Sequence, residues 1–179
     1  EGDETGYKGF YYHFHDMRSG KRAWKSELST VDTAILLIGI MCARHYFTEK
    51  NKQETEIREV ADFLYNRVDW QWATNGEDSI THGWKPESGF LRYRWNKRYS
   101  EAHIIYILAL GSTTFPIKSS GYKKWIQTFE WQKFYDFECI YAGPLFIHQM
   151  SQIWIDFKGI MDDENRKVGI DYFENSRRA

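Results

Sequence analysis

Hydrophobic and polar positions along the chain predict helices of two kinds. Ala34 to Ala43 is apolar on every side, so the segment from about Ser29 to Phe47 is expected to be a helix enclosed by protein. Its entrance is polar. Ser29 or Thr30 is suited to cap it, because a side-chain oxygen there accepts from a backbone N–H two or three residues on, and Asp32 then falls in the first turn. The next segment, about Glu54 to Val68, places Ile57, Val60, Ala61, Leu64 and Val68 at helical spacing and predicts an amphipathic outer helix. An inner helix followed by an outer one is the alternation of an α/α toroid or layered helical array.

The same pattern returns further on. A helix is expected from near Ser100, with Ile104, Ile105, Ile107, Leu108 and Leu110 before Gly111 ends it. An acid, Glu101, stands at its mouth as Asp32 does at the first. Ser119 to Phe129 reads as an outer helix with Trp125 and Phe129 inward, Pro144 opens a helix through Trp154 and Asp156, and a last helix runs from about Asp163 to Glu174.

Between the helices lie β-prone runs. After a polar, loose Glu1 to Lys8, structure is expected to begin at Gly9, and Phe10 to Asp16 with the turn Arg18-Ser19-Gly20-Lys21 predicts a hairpin reaching toward Trp24. Period two sets Phe10, Tyr12 and Phe14 on one side and Tyr11, His13 and His15 on the other. Ile80 to Trp84 and Phe90 to Trp95 form a second short pair, and Trp131 to Gly143 is partly extended. With neither a fixed-period repeat nor a linker, residues 1–179 read as one domain.

The formal net charge of -1 gives no electrostatic case for nucleic acid or an anionic membrane. The longest apolar run is far short of the roughly 20 residues that span a bilayer. Cys42 and Cys139 are expected as two buried thiols, without metal-ligand spacing. Aromatic content is the outlier, at 18%, with 8 Trp, 12 Tyr and 12 Phe, many beside Gly, Pro, His and acids in loop-like segments. Rings interspersed with polar groups suit a sugar, whose C–H faces stack while its hydroxyls need directional partners. An aromatic-rich core without ligand has the same composition.

No phosphate loop, dinucleotide glycine pattern, nucleophile elbow or zinc spacing is present. His13 and His15 have no third ligand at a supporting spacing, so neither metal nor cofactor is expected. Asp162-Asp163-Glu164 reads as a solvated helix entrance. What remains is a set of carboxylates among aromatics: Glu27, Asp32, Glu87 and Glu101. Glycoside hydrolysis needs two such acids, a proton donor to the leaving oxygen and a base or nucleophile, and apolar surroundings raise the donor's pKa. The plain alternative for Asp32 and Glu101 is an acid that complements the helix dipole.

Gly9-Phe10-Tyr11-Tyr12-His13-Phe14, Ser26 to Ala34, Val68-Asp69-Trp70, Gly83 to Phe90, Tyr99-Ser100-Glu101-Ala102, Leu108 to Ser112, Gly143 to Phe146, Trp154 to Phe157 and Gly169 to Ser176 together resemble the bacterial glucoamylase-like domain family. That family includes the endo-β-1,2-glucanases of glycoside hydrolase family 144 and domains of cyclic β-1,2-glucan synthases. The resemblance implies a mainly α (α/α)6 toroid with short β-hairpins in the cleft loops, a neutral glucan bound in the central cleft, and an exported, periplasmic or secreted, bacterial protein. It implies Glu101 as general acid, with Asp32 and Glu27 across the cleft as base or nucleophile, Asp32 ranked first. Trp24, Trp84, Glu87, Phe90, Arg94, Tyr99, His148 and Trp154 become candidates for the walls and hydroxyl contacts of the cleft. Only about half the helices of such a toroid are readable, so the chain is expected to be part of one, completed by further helices or by another copy. Two other functions stay open: a non-hydrolytic glucan-binding or transglycosylating domain, and a structural or interaction fragment.

Overall fold

The computed structural model describes residues 5–179. It is mainly helical, with three small antiparallel sheets. Strands β1 (Gly6–Tyr7) and β2 (Phe10–Tyr11) form the opening hairpin. Structure therefore starts before Gly9, inside the segment expected to be loose; residues 1–4 of that segment lie outside the described residues. Lys8 and Gly9 turn the chain with positive φ, and Gly9 is required there because a Cβ would lie 2.6 Å from the carbonyl oxygen of Arg67.

The chain then makes the expected second hairpin around Asp16, whose carboxylate accepts from the backbone of Arg18 and Ser19. It continues into β3 (Leu28–Ser29) and the long helix α1 (Thr30–Tyr46). The Ser29 hydroxyl caps α1 by accepting from the Asp32 N–H at 3.2 Å. Helix α2 (Lys52–Asn66) is capped by Asn51, and a bidentate Arg44–Asp62 pair at 2.6 and 3.0 Å binds it back onto α1. A short α3 (Trp70–Ala73) leads to β4 (Gly83–Lys85) and β5 (Gly89–Phe90), which complete a sheet of order β3-β4-β5.

Helix α4 (His103–Gly111) packs against α1. It starts later than expected because Ser100 accepts only from Ala102, in a turn that precedes the helix. Helix α5 (Ser119–Ile126) follows, with Trp125 and Phe129 inward as expected. The extended segment resolves into hairpin β6 (Trp131–Phe134) and β7 (Phe137–Ile140). The helix expected from Pro144 through Asp156 is instead α6 (Leu145–Gln149) and a 3-10 turn, Ser151–Ile153. The final helix is also two: α7 (Asp163–Val168) ends at Gly169, whose φ of 76 makes a left-handed cap, and Asp171 then caps α8 (Tyr172–Arg178).

One continuous core joins these elements, with Phe10, Leu37, Trp70, Ile104, Trp125 and Tyr172 among its buried members. Helix α1 corrects the expectation of full enclosure. α2 and α4 cover two of its faces, while Leu36, Cys42 and Tyr46 are exposed, Leu36 by 46%. Cys139 is buried as expected; Cys42 is not. On α2, Val60 is exposed, so the inward stripe holds only in part, and Phe63, outside the stripe, is exposed as well. Asp162 is not merely a solvated entrance: besides capping α7, it accepts from the hydroxyls of Tyr122, at 2.8 Å, and Tyr172. No described helix is long and apolar enough to cross a membrane.

Candidate active site

Strand register assembles the acids on the α1 side. Tyr12 bridges Leu28, and the His13 N–H donates to the Glu27 carbonyl at 2.8 Å, so His13 and Glu27 face each other across the pair. The His13 Nδ1 lies 2.9 Å from Glu27 Oε1, and its Nε2 lies 3.5 Å from Asp32 Oδ2. The Asp32 carboxylate also accepts from the Ser29 hydroxyl that caps its helix. Burial pushes the Glu27 carboxyl up, but its own backbone N–H and the His13 imidazole outweigh that and hold it below its usual range, with Lys85 adding to the effect. Among the described residues, no group of three or more His, Cys, Asp or Glu side chains is arranged to hold a metal ion.

An aromatic edge leads away from these acids. Phe14 stacks on His13 with centroids 4.1 Å apart, and Trp24 lies 5.4 Å from Phe14. The outer hairpin pairs His15 with Arg22, whereas the inner register pairs Tyr12 with Leu28, so Trp24 and Lys25 loop out between the two registers. Both adopt positive φ, 51 and 52, and Trp24 is left 85% exposed. Left-handed backbone at two successive bulky residues is costly and holds the indole away from the core.

Glu101 sits half-buried in the turn before α4, and among the described residues no hydrogen bond or ion pair holds its carboxylate. The two helix mouths share an end of the molecule. Trp95 Nε1 donates to Thr30 Oγ1 at 2.9 Å, and the Trp95 carbonyl accepts from the hydroxyl of Tyr106 in the first turn of α4 at 2.5 Å.

The other expected residues divide. Trp84 is half-buried, stacked on Tyr7 at 5.4 Å and close to Trp72, and Phe90 packs on Trp72 at 4.8 Å. Glu87 is exposed and takes both nitrogens of Arg22, at 2.7 and 3.0 Å. That fork holds its carboxyl down at about 2. Trp154 is half-buried, with its six-membered ring over Gly39 of α1.

Three assignments need correction. Arg94 is spent on structure, donating to the carbonyls of Thr74 and Ser79 at 2.9 and 2.7 Å and pairing with Glu77. Tyr99 is only 4% exposed, and burial pushes its hydroxyl pKa up. His148 is 1% exposed, stacked on Tyr99 at 5.0 Å, and accepts at Nε2 from the Ala142 N–H. Tyr99 and His148 are core residues of this chain, not cleft walls. Conversely, sequence reasoning weighed His13 only as a metal ligand and passed over Arg22, which lies 4.7 Å over the Tyr12 ring and orients Glu87. The signal for His13 was its alternation in Tyr12-His13-Phe14, which faces it away from the core.

A cavity of about 850 Å³ lies away from these acids, lined by Gln71, Asp78, Lys118 and Lys124 among others. Lys124 and Ser120 already hold the Asp78 carboxylate in it. The Glu27 and Asp32 side chains are partly exposed.

Residues 92–179 match the sequence profile of the family described as "Putative glucoamylase". A 94-residue stretch is 30% identical to the exo β-1,2-glucooligosaccharide sophorohydrolase (non-reducing end) of Parabacteroides distasonis, covering 51% of this chain and 13% of that protein. A Bacteroides uniformis protein whose crystal structure bears the same family designation superposes with a TM-score of 0.86 at 28% identity, over 99% of this chain and 45% of that one. The endo-β-1,2-glucanase of Chitinophaga pinensis, crystallised with sophorotriose and glucose, shares the fold with a TM-score of 0.79 at 24% identity, over 95% of this chain and 43% of that one. The chain thus spans less than half the length of these proteins. The chain is thus similar to the glucoamylase-like family in sequence over residues 92–179 and in fold over nearly its whole length.

Proposed function

We propose that this chain carries catalytic carboxylates of a glycoside hydrolase acting on β-1,2-glucan, within part of an (α/α)6 toroid. The observation that carries the reading is the His13-bridged pair of Glu27 and Asp32 at the mouth of α1, with the exposed Trp24 at its edge. Glu101 is the proton donor, since it stands at the neighbouring helix mouth without a cation partner among the described residues. In the reaction the anomeric C–O bond breaks as the Glu101 proton goes to the departing oxygen, and water supplies the new C–O bond, either directly with its proton taken by a carboxylate of the pair, Asp32 first, as base, or by hydrolysing a glycosyl ester first formed on that carboxylate, Glu101 regaining its proton from water. Trp24, Phe14, Trp84 and Phe90 offer ring faces to successive sugars. The Parabacteroides relative, by its name, releases sophorose from β-1,2-glucooligosaccharides, which supports the linkage.

The exposed Leu36, Tyr46, Val60 and Phe63 support the toroid reading, because an inner helix and its neighbour would be covered by the remaining helices or by another copy. A periplasmic or secreted setting suits a polymeric glucan substrate. Incubation with a panel that includes β-1,2-glucan and starch tests the function: shorter oligosaccharides from β-1,2-glucan alone are expected. Longer or cyclic products would point to transglycosylation, and no product from any glucan would overturn the hydrolase assignment for this chain.

A further inference from the structure

We propose that His13 is a positioning residue whose imidazolium clamps Glu27 and Asp32 into a single ionised pair. Its two ring nitrogens each face a carboxylate oxygen, at 2.9 Å for Glu27 and 3.5 Å for Asp32. A neutral imidazole has one N–H, whereas the cation carries one on each nitrogen, so it hydrogen-bonds Glu27 and faces Asp32 as an ion pair. Phe14 stacks on the ring's face, and the pairing beside Leu28, with the His13 backbone N–H on the Glu27 carbonyl, holds its backbone. Asp32 is in turn fixed by Ser29. The clamp therefore has rigid jaws and a titratable pin.

The surrounding charges leave this role to His13. Lys85 on β4 and Arg22 on the outer hairpin are the other cations facing Glu27, and Arg22 gives its guanidinium fork to Glu87. His15 is turned away, with Nε2 against the Thr5 carbonyl. Among the described residues, His13 alone lies within ion-pair distance of Asp32. Two carboxylates held close without a cation repel, and one of them takes up a proton more readily. The clamp keeps the α1 side charged, the form that a base or nucleophile opposite a proton donor at Glu101 needs. The inference rests on the assignment of Glu27 and Asp32 to the site, yet its geometry can be tested without turnover.

The test compares wild type with His13→Phe and His13→Lys. On β-1,2-glucan, His13→Phe is expected to lower kcat tenfold or more with KM changed less than about threefold, and to move the acid limb of the pH profile upward by about half a pH unit. His13→Lys, which keeps a cation, should restore the limb. An unmoved limb in His13→Phe overturns the proposal. Carboxyl titration by carbon NMR reads the clamp even if no glucan is cleaved: the Glu27 carboxyl, held below its usual range in part by His13, should titrate higher in His13→Phe. If that variant does not fold, His13→Gln replaces it, and an unmoved Glu27 titration there overturns the proposal, whatever the activity.

Discussion

The Trp95 indole donates a hydrogen bond of 2.9 Å to Thr30 Oγ1, in the buried space where α1 and α4 begin. The same hydroxyl donates onward to the Thr81 carbonyl at 2.8 Å, so Thr30 links three segments around the candidate site. Thr30→Val leaves the buried indole N–H without its acceptor and should cost about 2–3 kcal/mol, whereas Thr30→Ser keeps the hydroxyl and should cost about 1 kcal/mol or less. Urea denaturation separates them; equal losses would show that the hydrogen bonds do not matter.

Acid should weaken the fold before its carboxylates titrate. Burial pushes the His103 imidazolium pKa down to about 4, despite the nearby Asp162, and burial also lowers His148 and His82. A histidine depressed in the folded state contributes stability that is complete above its unfolded value of about 6.5 and is lost as pH falls toward 4. For His103 the loss is up to about 3 kcal/mol. Chemical denaturation at pH 7 and 4.5 should reveal most of it, and His103→Phe should flatten the slope. Equal wild-type stability at the two pH values would contradict the assignment.

Trp24 should show a trade between stability and binding. Its φ of 51 strains a bulky residue, and its 85% exposure gives little burial in return. Trp24→Gly should therefore be neutral or more stable by up to about 1 kcal/mol, while glucan affinity falls. Calorimetric titration with sophorooligosaccharides beside a thermal melt checks both. Unchanged affinity would remove Trp24 from the site.

Two helical glycines should respond oppositely to one methyl group. A Cβ on Gly39 would meet Trp154 at 3.7 Å, an ordinary contact, so Gly39→Ala should stabilise by about 0.5–1 kcal/mol. On Gly121 it would lie 2.0 Å from the Asp78 carbonyl oxygen, so Gly121→Ala should destabilise by about 3 kcal/mol. Paired denaturation curves decide, and a gain for Gly121→Ala would contradict the packing of α5 on the Asp78 loop.

Much of this architecture was legible in local pattern, because its causes are local. Ser29 caps α1, and Trp125 and Phe129 turn inward, each from short-range spacing, while the run after Trp131, expected only to be partly extended, pairs as a hairpin. What escaped depends on partners distant in sequence or on single breakers. Gly169 divides α7 from α8 within a run that otherwise reads as helical. Arg94 and His148 look available as polar residues until carbonyls and aromatic rings from other segments close on them. His13 meets Glu27 and Asp32 only because two hairpin registers differ and loop out Trp24 and Lys25. The enclosure of α1 failed for another reason: periodicity reports an apolar helix, but not whether this chain supplies what covers it.

The most direct test of the central claim is Glu101→Gln beside wild type, reading oligosaccharide release from β-1,2-glucan and saccharide-dependent thermal shift in the same samples. The account predicts release by wild type, a loss of about a thousandfold or more in the variant, and an undiminished thermal shift, because the amide still fits the cleft but has no proton to give. Undiminished release by Glu101→Gln would contradict it and move the proton donor to another residue.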